Sequence, residues 1–230
     1  MVIADYLLAG LVAMLTGLDR VALVQIMISR PLVAAPLTGL VLGNPLLGLE
    51  VGMLLELLWL GRLPVGAAIP PDDTQVAVGA TVLAFSMGQM LGLVGMPMVI
   101  LAVLVAIPLG KFGQIFDRLA RNVNDRLAVA GLKALGNGNT NGLERRHLVG
   151  LVSFAVSSLA TACVIVLIGS VILFYTAPQL IGAVRDTGLS LQYSLIIVGA
   201  ASLLGTINVN RSISLFCAAF SGTLLVLWMR

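Results

Sequence analysis

Two stretches of this chain, residues 74–110 and 148–184, contain no Asp, Glu, Lys or Arg. An α-helix needs about 20 apolar residues to cross the hydrocarbon of a bilayer, and each stretch exceeds that length. The composition points the same way. Of 230 residues, 59% are hydrophobic and 10% charged, with a mean hydropathy of +1.08, whereas a soluble domain carries about 25% charged residues. A soluble enzyme, a disordered chain and a nucleic-acid-binding domain are thereby excluded, and a polytopic membrane protein is expected. The length accommodates at most about seven or eight spans with short loops, so residues 1–230 are read as one membrane domain. The N-terminus lacks a basic n-region, carries Asp5 and has no small-residue cleavage site; no secretory signal is expected. Cys163 and Cys217 lie in apolar runs and read as small core residues rather than a disulfide framework or metal site.

Charge is distributed unevenly. Residues 111–146 hold seven of the 13 Lys and Arg but only three of the ten acids. A basic connecting segment between apolar runs reads as cytoplasmic by the positive-inside rule.

The first third is broken. Residues 6–18 are uncharged but short for a span, and Asp19-Arg20 interrupt before the next apolar piece. Arg30-Pro31 opens a new element. Residues 31–49 contain Pro36, Gly39, Gly43, Pro45 and Gly48, residues 51–61 are broken by Glu56, and Pro64, Gly66, Pro70 and Pro71 follow. Short Gly/Pro-interrupted pieces at membrane depth are expected where backbone lines a cavity and is covered by protein. The expected architecture is therefore all-α: broken or re-entrant hairpins over 1–92, then transmembrane helices. The second half is read as a helix over 97–117, a basic cytoplasmic loop over 118–146 that is partly helical in pattern up to Leu135, and C-terminal spans over 148–230. Gly92 to Pro97 marks a turn, and Gly136-Asn137-Gly138-Asn139-Thr140-Asn141-Gly142 a break. A helix from about 148 to 175 should end at Thr176-Ala177-Pro178. Three Gly-x-x-x-Gly pairs, Gly39/Gly43, Gly48/Gly52 and Gly88/Gly92, fit close helix contacts or chance.

Candidate functional residues follow from cost. Glu56, among leucines, is an acid that costs about 2.5–3.5 kcal/mol at membrane depth. It reads as a site or relay residue, or as the partner of Arg62 or of an orphan backbone amide. Glu50, six residues earlier, does not share its face, so a carboxylate dyad is not supported. Asp72 followed by Gln75 resembles a capping box opening the helix from residue 73, and such a helix end suits a polyhydroxylated or anionic ligand. Asp72 is thus either site or cap, and Asp73 is read as structural. Trp59 is read as packing rather than a sugar-stacking ring, Gln25 and Asn208 as buried amides that bridge helices rather than bind a ligand, and His147 as an interfacial loop residue rather than a phosphoryl-accepting or catalytic histidine. No nucleophile–base pair, phosphate loop or metal motif is assembled, so no catalytic residue, metal ligand or cofactor is expected.

The segments Ser29-Arg30-Pro31-Leu32-Val33, Gly39-Leu40-Val41-Leu42-Gly43-Asn44, Leu55-Glu56-Leu57-Leu58-Trp59-Leu60-Gly61 and Gly66-Ala67-Ala68-Ile69-Pro70-Pro71-Asp72, in that order, resemble the membrane subunit IIC of the mannose/fructose/sorbose family of the bacterial phosphotransferase system. The resemblance covers roughly residues 15–110; the region after about 187 looks short for the family. It implies half of a hexose permease in the bacterial inner membrane, paired with a IID-type membrane subunit in a higher oligomer. It also implies that the sugar passes to a soluble IIAB phosphocarrier, which phosphorylates it from a phosphohistidine outside this chain. Carried over by position, Glu56, Gly66, Ala67, Ala68 and Asp72 fall in the sugar-site motif. Two other readings compete. One is the substrate-binding membrane subunit of a vitamin-type energy-coupled importer. The other is a membrane enzyme acting on lipid head groups, with Asp72 and Asp73 as metal ligands.

Overall fold

A computed structural model describes residues 3–60, 69–138, 140 and 142–186, with scattered positions between 197 and 222. Among the described residues the continuous helices are α1 (Ile3–Val21), α2 (Pro31–Val41), α3 (Pro45–Trp59), α4 (Asp73–Leu91), α5 (Met96–Leu109), α6 (Phe112–Gly136) and α7 (Leu143–Asp186). The fold is an all-α membrane fold with a broken N-terminal part.

Helices α2 and α3 are 11 and 15 residues long, about 16 and 22 Å at 1.5 Å per residue. Neither crosses about 30 Å of hydrocarbon alone. They form a tight antiparallel hairpin instead. Pro31 and Pro45 open the two helices, and the Asn44 side chain caps α3 by accepting the Leu47 N–H at 3.1 Å. Glycine permits the close approach: a Cβ at Gly48 would lie 2.3 Å from the Ala35 carbonyl oxygen, and one at Gly52 2.7 Å from that of Pro31. The Gly-x-x-x-Gly spacing therefore splits by role. Gly39, Gly48 and Gly52 are contact glycines, while Gly43 (φ +78°) and Gly92 (φ +66°) turn the chain at helix ends.

Helix α4 is the interior of the molecule and α7 its periphery: 72% of the most apolar window of α4 is buried, against 33% for α7. Val76, Ala80 and Leu83 of α4 meet Val99 and Val103 of α5, Leu55 of α3, and Ile165 and Leu173 of α7 in one core. Trp59 is buried in it. By length and apolarity α4 and α7 are membrane spans, and α5 with α6 makes a third if the pair, bent by 43°, is one span.

Several expectations are corrected. The helix expected over 97–117 breaks at Gly110-Lys111, where Pro108 has removed an amide donor and the Gly110 N–H closes the last turn onto Ala106 and Ile107. The basic segment, partly helical in pattern up to Leu135, is helical over most of its length. Residues 112–136 form α6, because Arg, Lys, Leu and Ala are strong helix formers and only the Gly/Asn run beyond breaks the chain. Helix α7 starts before residue 148 and runs through Pro178. A proline removes one backbone bond, whereas ending a helix without nearby water frees several. Gln25 is exposed on a loop rather than buried, and Cys163 and Cys217 are exposed rather than core. Arg62, Gly66, Ala67, Ala68, Asn208 and most of the expected spans after 187 lie outside the described residues.

Candidate functional site

The broken N-terminal part meets α4, α6 and α7 around a cavity of about 870 Å³. That is within the range of small-ligand sites. Its polar centre is an ion-pair cluster joining the end of α1 to the start of α4. Arg20, in the last turn of α1, pairs with Asp72 at 2.5 Å and with Asp73 at 3.2 Å, and donates to the Pro71 carbonyl at 3.3 Å. A cation at a helix C-terminus and carboxylates at a helix N-terminus each sit at the favourable end of a backbone dipole.

Asp72 is held from three sides. Its carboxylate caps α4 by accepting the Gln75 N–H at 3.0 Å, as the sequence suggests. Its own N–H donates to the Gly110 carbonyl at 3.1 Å, at the bend between α5 and α6. A Cβ at Gly113 would lie 2.5 Å from the Asp72 Cβ, so only glycine lets α6 approach this closely. The reciprocal half of the capping box is not made. The Gln75 amide turns into the fold and donates to the Ala13 carbonyl at 2.9 Å, linking α4 to α1.

The loop between α1 and α2 forms another wall. Val24, Gln25 and Met27 have φ of 62°, 55° and 69°, the left-handed region that non-glycine residues rarely occupy. Asp19 holds the loop in this form, its two carboxylate oxygens accepting the Ile26 N–H at 2.8 Å and the Ser29 N–H at 3.0 Å. Thr74 ties the same loop to α4 by donating to the Ser29 carbonyl at 2.8 Å. Ser157 and Ser158 of α7 and the Asp117–Arg121 pair of α6 complete the polar lining.

Glu56 stands behind this wall rather than in it. Its Oε1 pairs with Arg30, accepting from Nε at 2.8 Å, and its Oε2 accepts the Leu32 N–H at 3.2 Å. The carboxylate thus caps α2 from α3 and fixes Arg30, which lines the cavity. Among the expected site residues, Asp72 is at the centre, Glu56 is connected to the cavity by its pair with Arg30, and Gly66, Ala67 and Ala68 are not described. Asp73 shares Arg20 rather than standing apart. Arg20 is the residue of this cluster that the sequence does not single out. Its signal was an arginine next to an acid between two apolar pieces, but nothing local indicates that its partner lies more than fifty positions away. With both carboxylates turned to one guanidinium, Asp72 and Asp73 do not form a cation site, against the lipid-enzyme alternative. Chemically, the cavity presents charged acceptors, a guanidinium and hydroxyls in an apolar surround, which suits a small polyhydroxylated ligand.

The family model for the PTS system sorbose-specific IIC component matches residues 3–227. The chain is 29% identical to the mannose-specific EIIC component of Escherichia coli K12 over 70% of its own length and 57% of that protein's. It is 30% identical to the fructose permease IIC component of Bacillus subtilis 168, covering 69% and 55%. With the sorbose-specific EIIC component of Lacticaseibacillus casei the identity is 27%, covering 83% and 66%. The chain thus spans between about half and two-thirds of the length of these relatives. Two solved structures share the fold. One, described as a membrane protein, has TM-score 0.67 and 22% identity, covering all of this chain and 92% of that one. The other is the cryo-EM structure of the mannose transporter ManYZ with microcin E492, with TM-score 0.64 and 24% identity, covering 97% and 87%.

Proposed function

We propose, since the chain belongs to the sorbose-specific IIC family of the phosphotransferase system, that it is a sugar-translocating membrane subunit which binds a hexose-type sugar in the cavity around Asp72 and Arg20. The observation that carries this reading is the Arg20–Asp72–Asp73 cluster, set among apolar helices where isolated charges are expensive and opening on a cavity large enough for a small ligand. Sugar hydroxyls donate well to a carboxylate, and Asp72 and Asp73 can each accept while Arg20 stays paired with the other.

In this reading the sugar leaves towards the cytoplasm, with the basic segment 111–146 on that side, and a soluble IIAB phosphocarrier phosphorylates it. A IID-type membrane subunit covers the apolar surfaces that this chain leaves open, in a higher oligomer of the bacterial inner membrane. Leu7, Leu11 and Leu15 of α1 and Val152 and Val156 of α7 are exposed here, which supports an environment of lipid or partner. Glu56 acts by holding Arg30 in the cavity wall, and Gly66, Ala67 and Ala68 belong to the segment leading to Asp72. The vitamin-type importer has no comparable support.

The test is sugar uptake and binding by the assembled complex carrying single substitutions. Asp72→Asn keeps the cap, because asparagine caps about as well as aspartate, and leaves Arg20 paired with Asp73. Assembly should persist while transport falls about tenfold or more, the scale of one charge-assisted hydrogen bond. Glu56→Gln should also assemble and transport poorly, since the freed Arg30 side chain is 42% exposed and reaches water. Asp73→Asn should be milder. Unchanged uptake and binding in both Asp72→Asn and Glu56→Gln would defeat the site assignment.

A further inference from the structure

A second cavity, of about 370 Å³, lies between α6 and the first turns of α7. Its walls are mostly apolar, with Leu132, Leu135, Leu143 and Leu151 among them, and its charged lining residue is Arg146, next to His147. Three observations bear on what it holds. First, Arg146 makes no salt bridge with a described residue, and its Nη1 is shielded from solvent without a hydrogen-bond partner. A charged nitrogen in that condition is costly unless an acceptor arrives. Second, of the other polar lining residues, the Asn124 amide is already used, donating to Ser153 Oγ at 2.7 Å and to the Ala120 carbonyl at 2.9 Å, and His147 is exposed. Third, Arg146 stands just ahead of the charge-free run 148–184, and an arginine flanking an apolar membrane run is expected to reach the headgroup layer. Leu132, Leu135 and Leu143 are 70%, 44% and 39% exposed beside it. An inorganic anion would satisfy the guanidinium and leave these leucines in water.

We propose that this cleft binds an anionic phospholipid, its phosphate on the Arg146 guanidinium and its glycerol and upper acyl chain against the leucines. Basic pockets between membrane helices on the cytoplasmic side favour such headgroups. The proposal uses the topology reading only to choose the leaflet, and its test contains no sugar, so its failure would leave the transport reading standing.

The test uses the chain solubilised from membranes with the subunits that co-purify with it, then stripped of lipid. Dioleoylphosphatidylglycerol, dioleoylphosphatidylcholine or sodium phosphate is added back. Native mass spectrometry reads retention, and a melting curve reads Tm. Phosphatidylglycerol should be retained and raise Tm, whereas phosphatidylcholine at the same ratio and phosphate alone should do neither. Arg146→Gln should reduce phosphatidylglycerol retention about fivefold. Lys133→Gln, on α6 but outside the cleft, should reduce it less than twofold, about the noise of such a comparison. If Arg146→Gln does not fold, Gly131→Leu fills the cleft without touching the arginine and should cause the same loss. Equal retention of phosphatidylcholine would overturn the charge selectivity. A Tm rise with phosphate alone would make the cleft a free-anion site. Wild-type retention in the folded variants would place the lipid elsewhere, and each of these results refutes the proposal.

Discussion

Arg20 shows how a single side chain can govern a site. It compensates two carboxylates, and its side chain and that of Asp72 are only 22% and 11% exposed. Removing one partner of a largely buried pair strands the other, a loss of about 3 kcal/mol or more at the fully buried limit. Arg20→Gln should therefore lower the Tm of the detergent-solubilised protein by several degrees. Adding Asp72→Asn should recover part of that loss, as a double-mutant cycle on Tm will read. Purely additive effects would mean the two residues do not interact. Asp72 was legible in the sequence because a cap is a local device, written in Pro70-Pro71-Asp72-Asp73-Thr74-Gln75. Arg20 was not, because pairing residue 20 with residue 72 needs α1 and α4 to be brought side by side. Glu56 lay between. Its cost was visible in the sequence, but its partner is Arg30, placed opposite it by the fold of the α2–α3 hairpin rather than by nearness in the chain.

Among the elements, that hairpin depends most on what is missing from it. A methyl at Gly48 would meet the Ala35 backbone, and backbone does not yield as a flexible side chain does. Gly48→Ala should destabilise the protein by about 3 kcal/mol, the upper end for overpacking, because it meets backbone. Gly43→Ala meets open space and should cost only about 1–2 kcal/mol for its left-handed φ. A urea or thermal series comparing the two checks the order, and equal effects would refute the packing argument. Element boundaries were legible where glycine clusters, at Gly92–Pro97 and at Gly136–Gly142. They were misread where one residue type was given too much authority. Pro178 does not stop α7, because within a packed or lipid-covered helix the remaining backbone bonds outweigh the one it removes.

For the molecule as a whole, the sequence already separated a basic middle from apolar flanks, and the structure turns that contrast into an α6–α7 hairpin carrying Arg118, Arg121, Arg126, Lys133, Arg145 and Arg146. This hairpin should face the cytoplasm. Cys163 and Cys217 are exposed, so both must first be replaced by serine. A cysteine at the exposed Thr140 should then react with a membrane-impermeant maleimide only in inverted vesicles or opened cells. Labelling in intact cells would reverse the orientation. The broken first third pointed to a cavity, but no sequence pattern revealed its walls, since it is made by five segments meeting and by none of them alone.

The left-handed Val24, Gln25 and Met27 have a thermodynamic consequence for that cavity. Each holds about 1–2 kcal/mol of conformational free energy, and the carboxylate of Asp19 keeps the loop from releasing it. The loop is therefore preloaded: the work of winding it was done when the chain folded. Any event that loosens the grip of Asp19 on the Ile26 and Ser29 amides recovers part of that work, so moving the wall beside Arg30 costs less than breaking those two hydrogen bonds would by itself.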